Sequence, residues 1–296
     1  MSIKDIYTSF YNKLEAGRID MEDYREYAFD KIKKHELTSL DKLFLAREKN
    51  RPKARDFLNG LLDEKIIFKG DRKGGEDPSV IAGIGKIKDL KISFVAIDKG
   101  NSLEEKIERN FGMVSPEGFR KAIRIFKQAE KFKTPILTII DTPGAYPGVE
   151  AERNGQSNAI ASSLLTMSGL KVPVISVITS EGYSGGALSL SLCDYLIMLE
   201  NSVFSILSPE GFGSIIYRDA SKIKEAAKLL KFTAQDMLKN GICNEIIGEE
   251  IDPLYLNFDR VYRDLRKSLL KNFKDLKKLD DEELLKRRHR RYDLWG

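Results

Sequence analysis

The chain has only two cysteines, two histidines and one tryptophan in 296 residues. Cys193 and Cys243 form neither a zinc spacing nor a disulfide framework, which points to a reduced, intracellular protein. His35 falls in a charged stretch and reads as a surface helix residue, and His289 lies in a basic tail. No H-E-x-x-H, paired-cysteine or EF-hand pattern occurs, so no metal site is expected. No apolar run is long enough to span a bilayer. The opening MSIKDIYTSF carries an acidic residue and no hydrophobic segment, so it is not read as a signal peptide, and a cytoplasmic location is expected. A phosphate loop of the form G-x-x-x-x-G-K-[ST] is also missing. Without it, the GTPase-like string Asp141-Thr142-Pro143-Gly144 has no nucleotide machinery to serve.

Charge, by contrast, is plentiful: 32% of residues are charged, the net charge is +5, and the excess gathers at the two ends. A mild positive balance suits an acidic ligand such as a phosphorylated cofactor. The centre has a different character. Two short apolar strands, over 136–140 and 174–179, each run into a glycine-rich turn. The first turn is Asp141-Thr142-Pro143-Gly144-Ala145-Tyr146-Pro147-Gly148, and the second is Glu181-Gly182-Tyr183-Ser184-Gly185-Gly186-Ala187. A helix-forming stretch follows each. Strand, glycine turn and helix together present backbone N–H groups to an anion or a developing oxyanion.

Around this centre the pattern is β, α, β. Strands are expected over 80–87 and 92–97. A helix capped by Ser115-Pro116 follows, with Phe119, Ile123, Phe126, Ala129 and Phe132 inward. A second helix over 156–169 is expected to turn Ile160, Leu164 and Met167 inward. Lys99, Lys106, Arg109 and Asn110 are candidates to meet phosphate or pantetheine, although a solvated face is the simpler reading. The recurrence of strand, strand and helix fits a spiral of ββα units better than a doubly wound sheet. From Pro253 a long helix is expected. The basic run ending in Arg291 leaves open nucleic-acid contact or, more simply, a solvated or partner-facing helix end. Tyr292 and Trp295 suggest that this end docks.

Gly182-Tyr183-Ser184-Gly185-Gly186 matches the G-x-S-x-G nucleophile elbow. A triad would need a later histidine, and the only one is His289 in the basic tail. The better reading is an oxyanion hole formed by the N–H groups of Gly185 and Gly186 at a helix start.

The long string over 141–148, with Asn110-Phe111-Gly112-Met113, Pro116-Glu117-Gly118, Ser184-Gly185-Gly186-Ala187-Leu188 and Ser208-Pro209-Glu210-Gly211, closely resembles the carboxyltransferase alpha subunits of bacterial multisubunit acetyl-CoA carboxylase. The likeness covers residues 45–250. It implies an α/β, crotonase-like (ClpP/crotonase) superhelix of ββα units over 61–250, with helical extensions over 1–60 and 251–296. It implies transfer of CO2 from carboxybiotin, on its biotin carboxyl carrier protein, to acetyl-CoA, giving malonyl-CoA for fatty acid synthesis. A relative acting on another acyl-CoA is the alternative. The resemblance further implies an α2β2 heterotetramer whose beta subunit holds a zinc ribbon and much of the acyl-CoA site, with biotin carboxylase as a further partner. On that model Gly185 and Gly186 stabilise the ureido oxygen of carboxybiotin. Gly144, Ala145, Tyr146, Pro147, Gly148, Tyr183, Ser184 and Gly211 then line the biotin site. Glu150 and Tyr183 stand where the family usually has glycine, so Tyr183 is expected to narrow the biotin channel and Glu150 to charge the ligand path. The family's Gly-Gly-Ala-His string is replaced by Gly248-Glu249-Glu250-Ile251-Asp252.

Overall fold

The computed structural model describes residues 2–18, 20, 36–255 and 258–293. His35 and Trp295 lie outside that set. Among the described residues three helices come first: α1 (Ile3–Glu15), α2 (Ser39–Ala46) and α3 (Ala54–Leu61). Strands β1 (Glu64–Phe68), β2 (Val80–Ile87) and β3 (Leu90–Ile97) follow, then α4 (Leu103–Glu108) and α5 (Pro116–Lys131). The centre contains β4 (Ile136–Thr142), α6 (Val149–Arg153), α7 (Gln156–Gly169), β5 (Val174–Tyr183) and α8 (Ser184–Leu188). After it come β6 (Tyr195–Leu199), β7 (Val203–Ser205), α9 (Pro209–Ile216), α10 (Ile223–Leu230), α11 (Ala234–Lys239) and β8 (Glu245–Ile247). The chain closes with α12 (Asp259–Leu276) and α13 (Asp281–Asp293). No described helix is long and apolar enough to cross a membrane.

Among the described residues there is one eight-stranded sheet, in the order β1-β2-β3-β4-β5-β6-β8, with β7 pairing off this path against the end of β5. β1, β2 and β3 are antiparallel, and the pairs from β3 onward are parallel. Every residue of β4 and β5 is buried, as expected of parallel strands covered on both faces. The period-2 alternation of side chains divides the sheet between two cores. Ile136 and Ile140 of β4, with Val95 and Ile97 of β3, face α5 and α7 and meet Phe119, Phe126 and Met167. Leu137 and Ile139, with Phe94 and Ala96, face the other way and meet Phe57 and Leu61 of α3 and Leu265, Leu269 and Phe273 of α12. The segments before and after the sheet thus cover one face together.

Several local expectations shift. The inward face of α7 is Gln156, Ala159, Ser163 and Met167, whereas Ile160 and Leu164 are only half-buried. Ser163 is small enough to sit under α8, where its hydroxyl donates to the Ser189 carbonyl at 2.7 Å. In α5, Ile125 is buried, Ile123 is half-buried, and Phe132 at the helix end is exposed. β5 runs past 179 to Tyr183, because β7 offers Val203–Ser205 as pairing partners for Glu181–Tyr183. The tail is two helices rather than one. The second, α13, is held by its basic residues. Arg288 is fully buried, pairs with Asp194 at 2.7 Å, and donates to the carbonyls of Met167, Leu170 and Val172. Arg291 donates to Asn244 and Ile242, and the Tyr292 hydroxyl accepts from the Cys193 N–H at 2.8 Å. Tyr292 therefore docks as expected.

Candidate functional site

β5 ends at Tyr183 and α8 begins at the next residue. Ser184 makes this abrupt change in the left-handed region, at φ 58°, a conformation that costs a non-glycine residue about 1 kcal/mol. Gly185 and Gly186 then occupy the first helical turn, whose N–H groups have no intrahelical partner. No other described group accepts from them. Gly186 is buried against the first glycine turn. A Cβ there would lie 2.4 Å from the Gly144 carbonyl carbon and 2.5 Å from the Ala145 nitrogen. The two glycine turns are therefore in direct backbone contact, and only glycine permits it. Gly185 is less constrained, since its Cβ would meet Ile160 at an ordinary 3.4 Å.

The first turn is anchored from below. The Thr142 hydroxyl donates to the Gly112 carbonyl at 2.7 Å, and the Gly144 N–H donates to that hydroxyl at 3.0 Å. The Tyr146 N–H donates to the Val114 carbonyl, and the Gln156 amide donates to the carbonyls of both Val114 and Tyr146. Gly144 has φ 142°, and the direction its Cβ would take is open space. Gly148 packs on the Tyr146 ring, and Pro143 and Pro147 are exposed.

A chain of charges ties the turns to the rest of the sheet. Lys99, just after β3, reaches Asp141 at 2.6 Å and Glu181 at 2.7 Å. Arg47, at the end of α2, reaches Glu181 at 2.6 Å and Glu210 at 2.5 Å. Burial pushes the Glu181 carboxyl up, but Lys99 and then Arg47 overcome it and hold the pKa at about 2. Burial likewise opposes the charge on Lys99, but Asp141 and Glu181 more than offset it, so its pKa is raised. Behind this chain the fully buried Arg51 pairs with Glu249 at 2.8 Å and donates to the Thr179 carbonyl. The fixed residues thus come from the ends of α2, β3, β4 and β5 and the start of α9.

Of the residues singled out from the sequence, Gly144, Ala145, Gly185 and Gly186 meet in one place. Tyr183 does not line an open channel. As a strand residue it lies two positions after Glu181, on the same side, and its ring is buried with Leu43, Val203, Ala227 and Phe232. Glu150 is exposed and pairs with Arg153 at 3.2 Å. The Gly211 N–H is taken by the Ser208 hydroxyl at 3.1 Å, as a helix cap. Lys99 is an ion-paired strut rather than a solvated lysine, and Arg109 pairs with Asp98 and Glu105. Ser184 is exposed, but the described histidine, His289, is engaged with the Ser168 carbonyl at 3.1 Å. Arg47 carries no sequence signal, and Glu181 and Glu210 enter only as members of their motif strings. The three are far apart in the chain, and no local spacing links them as a cluster. Among the described residues, no group of three or more His, Cys, Asp or Glu is placed to hold a metal ion.

The family model described as acetyl co-enzyme A carboxylase carboxyltransferase-like matches residues 13–296. The chain belongs to this family. A carboxyltransferase relative from Carboxydothermus hydrogenoformans, named acetyl-coenzyme A carboxylase carboxyl transferase subunit alpha, is 48% identical over 260 residues, covering 88% of this chain and 80% of its own. A second, from Clostridium tetani, is named as subunits beta/alpha. It is 42% identical over 286 residues, covering 96% of this chain, which spans 50% of that relative's length. Among solved structures, transcarboxylase 12S with methylmalonyl-coenzyme A and methylmalonic acid bound aligns with a TM-score of 0.60 at 19% identity, over 75% of this chain and 42% of that one. At that identity the likeness is one of fold, and the fold of this carboxyltransferase-family chain is the crotonase-like one.

Proposed function

We propose that this chain is the alpha subunit of an acetyl-CoA carboxylase carboxyltransferase, taking CO2 from carboxybiotin to acetyl-CoA and forming malonyl-CoA. Membership of the family supports the reaction. The observation that carries the site is the pair of unpartnered N–H groups on Gly185 and Gly186, the second of which packs against the Gly144–Ala145 backbone. The missing side chains fit a flat ureido ring, because the Cβ direction at Gly144 is empty and Gly185 is half-exposed. Carboxybiotin, when bound, supplies a labile N-carboxylate and a carbonyl oxygen that gains negative charge as CO2 leaves. Gly185 and Gly186 donate to that oxygen, each such donor being worth about 10²–10³ in rate. The ion pairs of Lys99, Glu181 and Arg47 keep both turns rigid, so the donors need no rearrangement. Ala145, Tyr146, Pro147, Gly148 and Ser184 form the surrounding rim. Tyr183 and Gly211 act from behind it, through packing and the start of α9.

The acyl-CoA side of the reaction falls to a beta subunit in an α2β2 assembly, where zinc is expected. Carrier protein and biotin carboxylase act upstream, and the whole is cytoplasmic. The fused beta/alpha name of the Clostridium tetani relative supports this pairing. So do the exposed apolar side chains of Leu188 at the end of α8, Ile206 after β7, and Ile215 and Ile216 at the end of α9. Residues 61–250 form the catalytic unit, and 1–60 and 251–296 are its flanking parts.

The test is reconstitution. The chain alone should form no malonyl-CoA from carboxybiotin and acetyl-CoA, and mixing with the beta subunit should restore transfer. Gly185→Val should lower transfer by about a hundredfold or more while the circular dichroism spectrum stays unchanged. A complex that assembles but prefers another acyl-CoA would sink the acetyl-CoA assignment. Full activity in Gly185→Val would sink the oxyanion role.

A further inference from the structure

A cavity of about 610 Å³ opens between the β1–β2 connection, α5 and the junction of α6 with α7, and it contains no residue of either glycine turn. Six cations line it: Arg72, Lys73, Arg120, Arg124, Lys127 and Arg153. One acid, Asp71, lies among them. Its buried carboxylate is already engaged. It pairs with Arg120 at 2.7 Å and accepts the N–H groups of Lys73 and Gly75. Arg120 also reaches Glu117, and Arg153 pairs with Glu150 where both are exposed. Arg72, Lys73, Arg124 and Lys127 have no carboxylate within ion-pair distance among the described residues.

These charges stand together without compensation. Arg120, Arg124 and Lys127 lie at i, i+4 and i+7 of α5, on one face of one helix, where like charges repel. Arg124 is the most constrained. One of its terminal nitrogens donates to the Lys69 carbonyl at 3.1 Å, but its Nε is buried with no hydrogen-bond partner. Burial and then Arg72 lower its pKa. A buried guanidinium nitrogen without an acceptor is unfavourable by itself and gains from an anion. The start of α7 faces the same cavity. Gly155 precedes the helix at φ 80°, supplies no side-chain cap, and lines the wall with Asn158. The N–H groups of Gln156, Ser157 and Asn158 have no acceptor among the described residues. They add the positive end of a 14-residue helix to the cations. No aromatic ring is among the described residues that line the cavity.

We propose that this cavity binds a compact inorganic oligophosphate, with Arg72, Arg124 and Lys127 on its oxygens. Guanidinium forks and a helix start both match phosphate oxygens. One phosphate group carries about two negative charges, so four unpaired cations call for phosphates joined together. Without an aromatic platform there is nothing to hold a nucleobase, and recognition stops at the phosphates. The site is separate from the transfer chemistry proposed above, since the two share no residue.

The full chain is titrated by calorimetry with inorganic pyrophosphate, orthophosphate and ADP. Pyrophosphate should bind one saturable site about tenfold more tightly than orthophosphate, and ADP should bind no better than pyrophosphate. Arg124→Gln and Lys127→Gln should each weaken pyrophosphate by about tenfold, the scale of one charge-assisted contact. Lys127 is exposed on α5, so its variant keeps the test valid if Arg124→Gln fails to fold. Lys274→Gln removes the same charge from α12, which covers the opposite sheet face, and should leave binding unchanged. Pyrophosphate should also raise the melting temperature of the natural chain more than that of Lys127→Gln. Absence of saturable pyrophosphate binding, unchanged affinity in Lys127→Gln, or an equal loss in Lys274→Gln would each overturn the proposal. So would ADP binding more than about tenfold tighter than pyrophosphate, the mark of a nucleotide site. Polyglutamate binding without pyrophosphate binding would instead identify a surface for an acidic protein, and would overturn it too. Malonyl-CoA formation is a separate readout, so the catalytic reading and this one fail independently.

Discussion

Glu181 shows how much of the site depends on single charges. Its carboxylate receives Lys99 and Arg47 on its two oxygens, from two different elements. The folded pKa of about 2 lies below the ordinary 4.5. A depressed carboxyl stabilises the fold above about pH 4.5 and loses that contribution as pH falls toward 2. The stability gap between the natural chain and Glu181→Gln, measured by urea unfolding, should be widest near neutrality, at most about 3 kcal/mol. It should narrow steadily below pH 4.5. The paired glycines give a second contrast. Gly186→Ala forces a Cβ into the Gly144–Ala145 backbone and should cost about 1–3 kcal/mol together with activity. Gly185→Ala meets only Ile160 at van der Waals distance and should leave the melting temperature nearly unchanged. Equal melting shifts in the two variants would contradict the contact between the turns.

At the scale of elements, α13 is the instructive case. Its residues EELLKRRHRR read from sequence as a charged helix end with a choice between nucleic acid and a solvated or partner-facing surface. The structure turns Arg288 inward as a plug under the ends of α7, where one guanidinium satisfies three carbonyls and Asp194. Lys286, Arg287 and Arg290 are left outside, Lys286 in an ion pair with Glu282. Periodicity shows that a helix forms but cannot show which of several arginines faces inward, because that depends on carbonyls more than a hundred residues away. Arg288→Met should cost about 3–5 kcal/mol, since it leaves Asp194 buried and uncompensated. Adding Asp194→Asn should recover part of that loss in calorimetry, as coupled partners do.

For the whole molecule, the decisive feature is that the sheet is clothed by segments from opposite ends of the chain. α3 and α12 pack on one another and on the same sheet face through Phe57, Phe258 and Tyr262. Calorimetry of the full chain should therefore show a single unfolding transition across 1–60, 61–250 and 251–296, not three. A separable low-temperature transition removed by deleting residues 251–296 would show that the tail is an independent unit.

The motif strings were enough to place the chain in its family, and the alternation of apolar residues was enough to locate most strands and helices. Both are local properties, carried by neighbours in sequence. The two glycine turns were visible as anion cradles for the same reason: strand, glycine and helix start are contiguous. Their contact was not visible, because it depends on the parallel pairing of β4 with β5, which brings Gly144 to Gly186. Nor was the burial of Tyr183, which follows from the late pairing of β7 with the end of β5. The ion pairs that fix the turns join residues from α2 to α9. Only the folded sheet brings these charges within reach of one another, since the energy of such pairs depends on distance and burial and not on order along the chain.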